Sequence, residues 1–127
     1  MIGYITLGTN NIDKAREFYD ALFMDIKGRR IVDDNHITLW GNNPKAPLIG
    51  VIKPHNGELA TIGNGSMAAI GLDTDEMVSI LYQKALSLGG VDEGEPGPRG
   101  KRGTVFAYCR DLDGNKLAFF SMGKMAK

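Results

Sequence analysis

Residues 4–26 of this 127-residue chain echo residues 69–91 at a constant offset of 65 positions, and this internal repeat narrows the possible folds most. Tyr4-Ile5-Thr6-Leu7-Gly8-Thr9-Asn10 lies over Ala69-Ile70-Gly71-Leu72-Asp73-Thr74-Asp75, with the apolar pair and the threonine in register. Each copy reads as a strand running into a helix start. The chain is therefore expected to fold as two related modules.

In the first module Ile12, Ala15, Phe18, Tyr19, Leu22 and Phe23 recur at helical spacing and form one amphipathic stripe. Asn10 is the expected N-cap, and Asp13 suits the positive end of the helix dipole. In the second, Asp75 is the expected cap, Met77, Ile80, Leu81, Ala85 and Leu88 the buried stripe, and Gly89-Gly90 the stop. Three β-type runs follow each helix. They are Ile26–Val32, His36–Gly41 and Pro47–Lys53, then Val91–Glu95, Gly103–Arg110 and Lys116–Ser121. The expected class is α+β, with two tandem βαβββ modules spanning 1–53 and 67–127 and a polar, turn-rich linker over 54–66.

At this length a single domain buries roughly two thirds of its unfolded surface, so its core needs neither disulfides nor a structural metal. Cys109 is the only cysteine and has no partner within the chain. A lone thiol, no apolar run near the ~20 residues of a membrane span, and no charged leader before Ile2-Gly3-Tyr4-Ile5 predict a cytoplasmic protein with no membrane partner. Fifteen basic residues balance fifteen acidic ones, so the charge excess that attracts nucleic acid is absent. There is no Gly-x-Gly-x-x-Gly opening a helix, no P-loop and no Gly-x-Ser-x-Gly, so nucleotide and α/β-hydrolase chemistry lack a motif.

Two turns have a mechanism. In Asp111-Leu112-Asp113-Gly114-Asn115 glycine supplies positive φ and aspartate caps the turn's N–H groups, which makes both aspartates structural. Glycine and proline crowd the stretch from Asp92 to Gly100, which reads as a loop, and Pro96–Gly103 is expected to form a lid carrying Arg99, Lys101 and Arg102 toward an anion.

The doubled βαβββ pattern, Lys53-Pro54-His55-Asn56-Gly57, Asp92-Glu93-Gly94 with Pro96-Gly97, and the ending Asp111-Leu112-Asp113-Gly114-Asn115-Lys116 resemble the vicinal oxygen chelate superfamily over essentially the whole chain. Glyoxalase I, bleomycin-resistance proteins, fosfomycin-resistance enzymes and extradiol dioxygenases are members, and the likeness is to an uncharacterised glyoxalase-like subgroup. The resemblance implies a single domain whose curved mixed sheet surrounds a central cleft, with helices outside, and a homodimer. It also implies metal ligands on the first, fourth, fifth and eighth strands. Here those positions hold Tyr4, either Ile49 or Gly50, Ala69 and Ala118. A catalytic divalent site needs about three ligands from imidazole, carboxylate or thiolate. No metal cofactor is therefore expected.

Strand alternation turns Ile5, Leu7, Ile70 and Leu72 toward the helices and Tyr4, Thr6, Ala69 and Gly71 the other way. Tyr4, Thr6, Trp40, Phe106, Tyr108, Lys116 and Phe120 are the candidate ligand-binding residues: aromatic rings can stack on a flat molecule, and Lys116 can meet an anion. The expected function is binding of a small organic molecule, with any catalysis of a lyase or isomerase type. The alternatives are a metal-dependent lyase or dioxygenase with ligands relocated to His36, His55, Glu58 or Asp73, and a dimeric interaction module without ligand. Cys109 reads as a small buried apolar residue.

Overall fold

Strand β1 (Tyr4–Gly8) leads into helix α1 (Ile12–Met24), followed by β2 (Arg29–Asp33), β3 (Ile37–Gly41) and β4 (Leu48–Ile52). The same order recurs as β5 (Ala68–Leu72), α2 (Asp75–Ser87), β6 (Val91–Arg99), β7 (Thr104–Arg110) and β8 (Lys116–Ser121), with a short α3 (Met122–Met125) after it. The structure, a computed structural model, describes residues 1–125. The chain divides into two units, Met1–Ile62 and Gly63–Lys127, each built on one βαβββ module with a four-stranded mixed sheet.

In the first unit the strand order is β1-β4-β3-β2, with β1 parallel to β4 and the other pairs antiparallel. All six residues of the expected α1 stripe are buried. The cap is Asn11, one residue later than expected, and its side chain accepts from the Lys14 N–H at 3.2 Å. Asn10 is engaged elsewhere. Its side-chain amide donates to the Ala60 carbonyl at 3.1 Å and accepts from the Ala60 N–H at 2.7 Å, tying the segment after β4 to the start of α1. Strand β2 begins at Arg29 rather than Ile26, because Ile26 and Gly28 donate to the Phe23 carbonyl and close the helix in a turn.

In the second unit the order is β5-β8-β7-β6, with β5 parallel to β8. The cap of α2 is Thr74 rather than Asp75; its hydroxyl accepts from the Met77 N–H at 3.1 Å, and Asp75 becomes the acidic first-turn residue. The buried stripe is Val78, Leu81, Tyr82 and Ala85, whereas Ile80 is 40% exposed. This face is rotated from the expected one because Tyr82 buries its ring and satisfies its hydroxyl on Asp92 at 2.8 Å, a partner that periodicity does not reveal.

The expected lid is a strand. β6 pairs with β7 from Val91 to Arg99, and register shifts between Asp92 and Gly94 and between Gly94 and Gly97 absorb its irregular residues. As an edge strand it tolerates Pro96 and Pro98, which would interrupt a central ladder. The connection shrinks to a tight turn in which Gly103 donates to the Gly100 carbonyl at 3.3 Å.

Candidate functional site

Helix α2 covers one face of the second sheet, where Ala107, Cys109, Leu117 and Phe119 are fully buried. The register then fixes what lies on the opposite, open face. Phe106 pairs with Phe120 and Tyr108 with Ala118, while Ala118 and Phe120 pair across β5 with Ala69 and Gly71. Phe106 and Tyr108 stack with centroids 5.9 Å apart and planes 10° apart, and Phe106 and Phe120 stack at 5.3 Å and 21°. All three rings are half-buried. They form a continuous aromatic platform of part-exposed rings beside the fully buried Ala118.

Two cations border it. The Lys116 ammonium lies 5.0 Å from the Tyr108 ring centroid, and the Arg99 guanidinium carbon 5.8 Å from it. Attraction to the negative ring face favours both placements. Arg99 is held in addition by hydrogen bonds to the carbonyls of Glu95 at 2.8 Å and Pro98 at 3.4 Å. Gly94 and Gly97, the β6 partners of Tyr108 and Phe106, leave room for this. A Cβ at Gly97 would stand 2.9 Å from an Arg99 guanidinium nitrogen, and one at Gly94 2.9 Å from the Tyr108 ring.

Four of the expected site residues, Phe106, Tyr108, Lys116 and Phe120, are thus brought together. Tyr4 and Thr6 lie in the first unit, on the face of β1 turned away from α1, and Tyr4 is 56% exposed. Trp40 does not join an open face. It is 1% exposed, its ring packs on Tyr19 and Phe23 of α1, and its indole N–H donates to Asp20 at 2.8 Å. Its partner across β4 is Ile49, and one step of alternation puts it with the core. Sequence reasoning missed Gly94 and Gly97; Arg99 was expected as an anion contact on a lid and is instead part of β6, and the Gly-x-x-Gly-x-Arg spacing is legible only once β6 is known to be a bulged strand.

The four positions at which the resemblance implies ligands do not fit a metal. Parity assigns the fourth-strand position to Gly50, which pairs with Thr6, and a Cβ there would meet the Thr38 carbonyl oxygen at 2.1 Å. Ala69 and Ala118 face each other without a donor atom. His36, His55, Glu58 and Asp73 are exposed, and among the described residues no three His, Cys, Asp or Glu side chains gather closely enough to hold an ion. Cys109 is fully buried, and burial pushes its thiol up to about 12, aided by Asp111 and Asp92, so it holds its proton at neutral pH. Asp111 is the buried turn cap, accepting from the N–H groups of Asp113 and Asn115, both at 2.9 Å.

The first unit has a cavity of about 410 Å³ bordered by Arg16, Arg30, Lys53, Asp33 and Asp34. Its arginines are already neutralised. Arg30 meets Asp20 at 2.8 Å and Asp33 at 3.1 Å, and Arg16 lies 3.6 Å from Asp13 and 3.8 Å from Asp33. Burial raises the Asp20 carboxyl, but hydrogen bonds from Arg30 and Trp40 outweigh it and hold the group below the ordinary carboxylate range. Asp33 is lowered by Thr38 and Arg30.

The family model of the Glyoxalase/Bleomycin resistance protein/Dioxygenase superfamily matches residues 1–119, and the chain belongs to that superfamily. It is similar to a glyoxalase/bleomycin resistance protein from Albidiferax ferrireducens T118, with 27% identity and a TM-score of 0.83 over 95% of this chain and 98% of that one. It also shares its fold with a glyoxalase-related enzyme from Fulvimarina pelagi, at 17% identity and a TM-score of 0.75 over 95% of this chain and 87% of the other. A lactoylglutathione lyase from Agrobacterium tumefaciens gives 17% identity and a TM-score of 0.72 over 98% and 95% of the two chains. No curated protein matches the chain.

Proposed function

We propose that this superfamily member binds a small, flat organic molecule on the open face of its second sheet, using an aromatic platform where metal-dependent relatives use coordinated ions. The observation that carries this reading is the stacking of Phe106 on both Tyr108 and Phe120 beside residues 69 and 118, where alanine replaces the relatives' ligands. Stacking on an aromatic face contributes about 0.5–1.5 kcal/mol beyond the area it buries. Three adjoining rings provide the apolar floor that small-molecule sites commonly have. Titration with small aromatic compounds, followed by NMR shifts of the ring signals of Phe106, Tyr108 and Phe120, tests it. Shifts confined to other residues would overturn it. Metal analysis of protein purified without chelators is expected to find no stoichiometric transition ion, and one tightly held ion per chain would count against the reading.

The working form in this proposal is a homodimer. Support comes from β1, an edge strand carrying exposed Ile2 just before it and exposed Tyr4 and Ile5 along it. Sedimentation should give a dimer that Ile5→Lys dissociates, and a monomer at tens of micromolar would remove this element.

A further inference from the structure

Arg16, Arg30 and Arg110 each have a carboxylate within 4 Å: Asp13 and Asp33, Asp20 and Asp33, and Glu93 respectively. Arg99 and Lys116 have none among the described residues, although both lie within 6 Å of the Tyr108 ring centroid. Both cations are drawn to the negative face of one ring, and neither is met there by a carboxylate of the described residues. Acidic and basic residues balance over the whole chain, so the positive charge here is a local excess. Arg99 is also committed in place. Its guanidinium carries five N–H donors, and the two backbone acceptors at Glu95 and Pro98 fix its plane while leaving donors free. Orienting a cation before the ligand arrives removes part of the ordering cost of binding.

From this juxtaposition of an apolar ring floor and two unmatched cations at its border, we infer that the ligand is a flat aromatic or conjugated molecule bearing an anionic group, with carboxylate the best match to a guanidinium. The inference rests on the platform reading above and adds the ligand's charge. Rings Phe106, Tyr108 and Phe120 take the flat body. Arg99 and Lys116 take the anion, and Gly94 and Gly97 admit Arg99 to its place.

The test compares 2-naphthoate with its neutral counterpart 2-naphthamide by calorimetry and NMR titration of the full chain. Naphthoate should bind about tenfold tighter or more, as a charge-assisted hydrogen bond requires. That preference should shrink as salt screens it. In Arg99→Gln and Lys116→Gln naphthoate should lose more affinity than naphthamide, so the preference falls, and Arg99→Lys should restore part of it. Phe106→Leu should weaken both compounds alike. Equal affinities for the two probes in the unaltered protein would overturn the anion inference and leave the platform standing. Failure of both probes to shift the three ring signals would overturn the platform and the inference with it.

Discussion

In the first module an ion-paired set of Arg16, Arg30, Asp20 and Asp33 lies between sheet and helix, whereas in the second Arg99 and Lys116 border the face turned away from the helix. Arg30, Asp20 and Trp40 join β2, α1 and β3 in one hydrogen-bonded set, which Asp33, Thr38 and Arg16 extend. The open face there carries Tyr4, Thr6 and Gly50. In the second module the helix face holds one polar pair, Tyr82 on Asp92, among apolar residues, while Arg99 and Lys116 border the rings on the open face. One topology thus accommodates charge on either side of its sheet. Where opposite charges meet and hydrogen-bond, they support structure; the cations beside the aromatic face have no such partner among the described residues, and in the reading proposed above they meet a ligand.

Trp40→Ala and Phe120→Ala separate the two roles most sharply. Trp40 is buried between β3 and α1, and its removal opens a large cavity and takes one hydrogen bond from the Asp20 carboxylate, which keeps Arg30. The expected cost is about 3–5 kcal/mol, read as a lower urea midpoint at unchanged slope. Phe120 is half-buried on the open face, so Phe120→Ala should cost about half as much while weakening aromatic ligands strongly. Equal stability losses would erase the distinction between a structural and a binding ring.

Next in size is the response to pH, which should differ in direction between modules. Asp20 and Asp33 titrate below their ordinary value of 3.8, so the first module's carboxylate contribution is fully present above pH 4 and declines as pH falls through the lowered values. Tyr82 is pushed from 10.0 up to about 12 by burial and by Asp92, and Cys109 from 9.0 up to about 12. A folded state that keeps those protons longer than the unfolded chain is stable below pH 9, and loses that stability as pH rises toward 12. Thermal unfolding across pH should show Asp20→Asn flattening the acid limb and Tyr82→Phe the alkaline limb. Both variants acting on the same limb would contradict the assignment.

The repeat, the α1 stripe, the strand count and the Asp111 turn were legible because each is periodic or local. Trp40 was not, since an aromatic residue in a buried strand serves either face and only its pairing with Ile49 decides between them. The α2 face was misplaced for a related reason: a buried tyrosine needs a distant acceptor, here Asp92, and periodicity carries no trace of it. Reading β6 as a loop followed from its prolines and glycines, which disfavour an ordinary strand but suit a bulged edge. Phe106, Tyr108 and Phe120 were named as aromatic residues of the cleft strands that the resemblance implies, while Arg99 came to their side only through the bulges.

Thr104 offers a smaller effect. It is 3% exposed, and its hydroxyl has no hydrogen-bond partner among the described residues. A buried hydroxyl left unpaired is destabilising, and valine has nearly the same shape, so Thr104→Val should stabilise the second module by about 1 kcal/mol. Loss of stability instead would mean that the hydroxyl finds a partner in solution. Loss of ligand affinity with stability retained would make Thr104, which pairs with Arg99 across β6 and β7, part of the site.

The smallest expected effect concerns how the two helices are left behind. After α2 the left-handed residue is Gly89, at φ 105°, whereas after α1 it is Lys27, at φ 59°. A side chain in that region costs about 1 kcal/mol or more, because Cβ crowds the following carbonyl. Glycine escapes that crowding but loses more freedom on folding, which returns part of the gain. Lys27→Gly should therefore raise stability by only about 0.5 kcal/mol. The reverse change is not symmetric. Gly89→Lys would add the same conformational cost and bring a Cβ to 3.0 Å from Leu112 Cδ2, so a larger loss of about 1–2 kcal/mol is expected. Paired urea titrations of the two variants measure both. If Lys27→Gly destabilises, the lysine side chain makes a contact worth more than its backbone strain, and the two helix exits are not equivalent solutions to one turn.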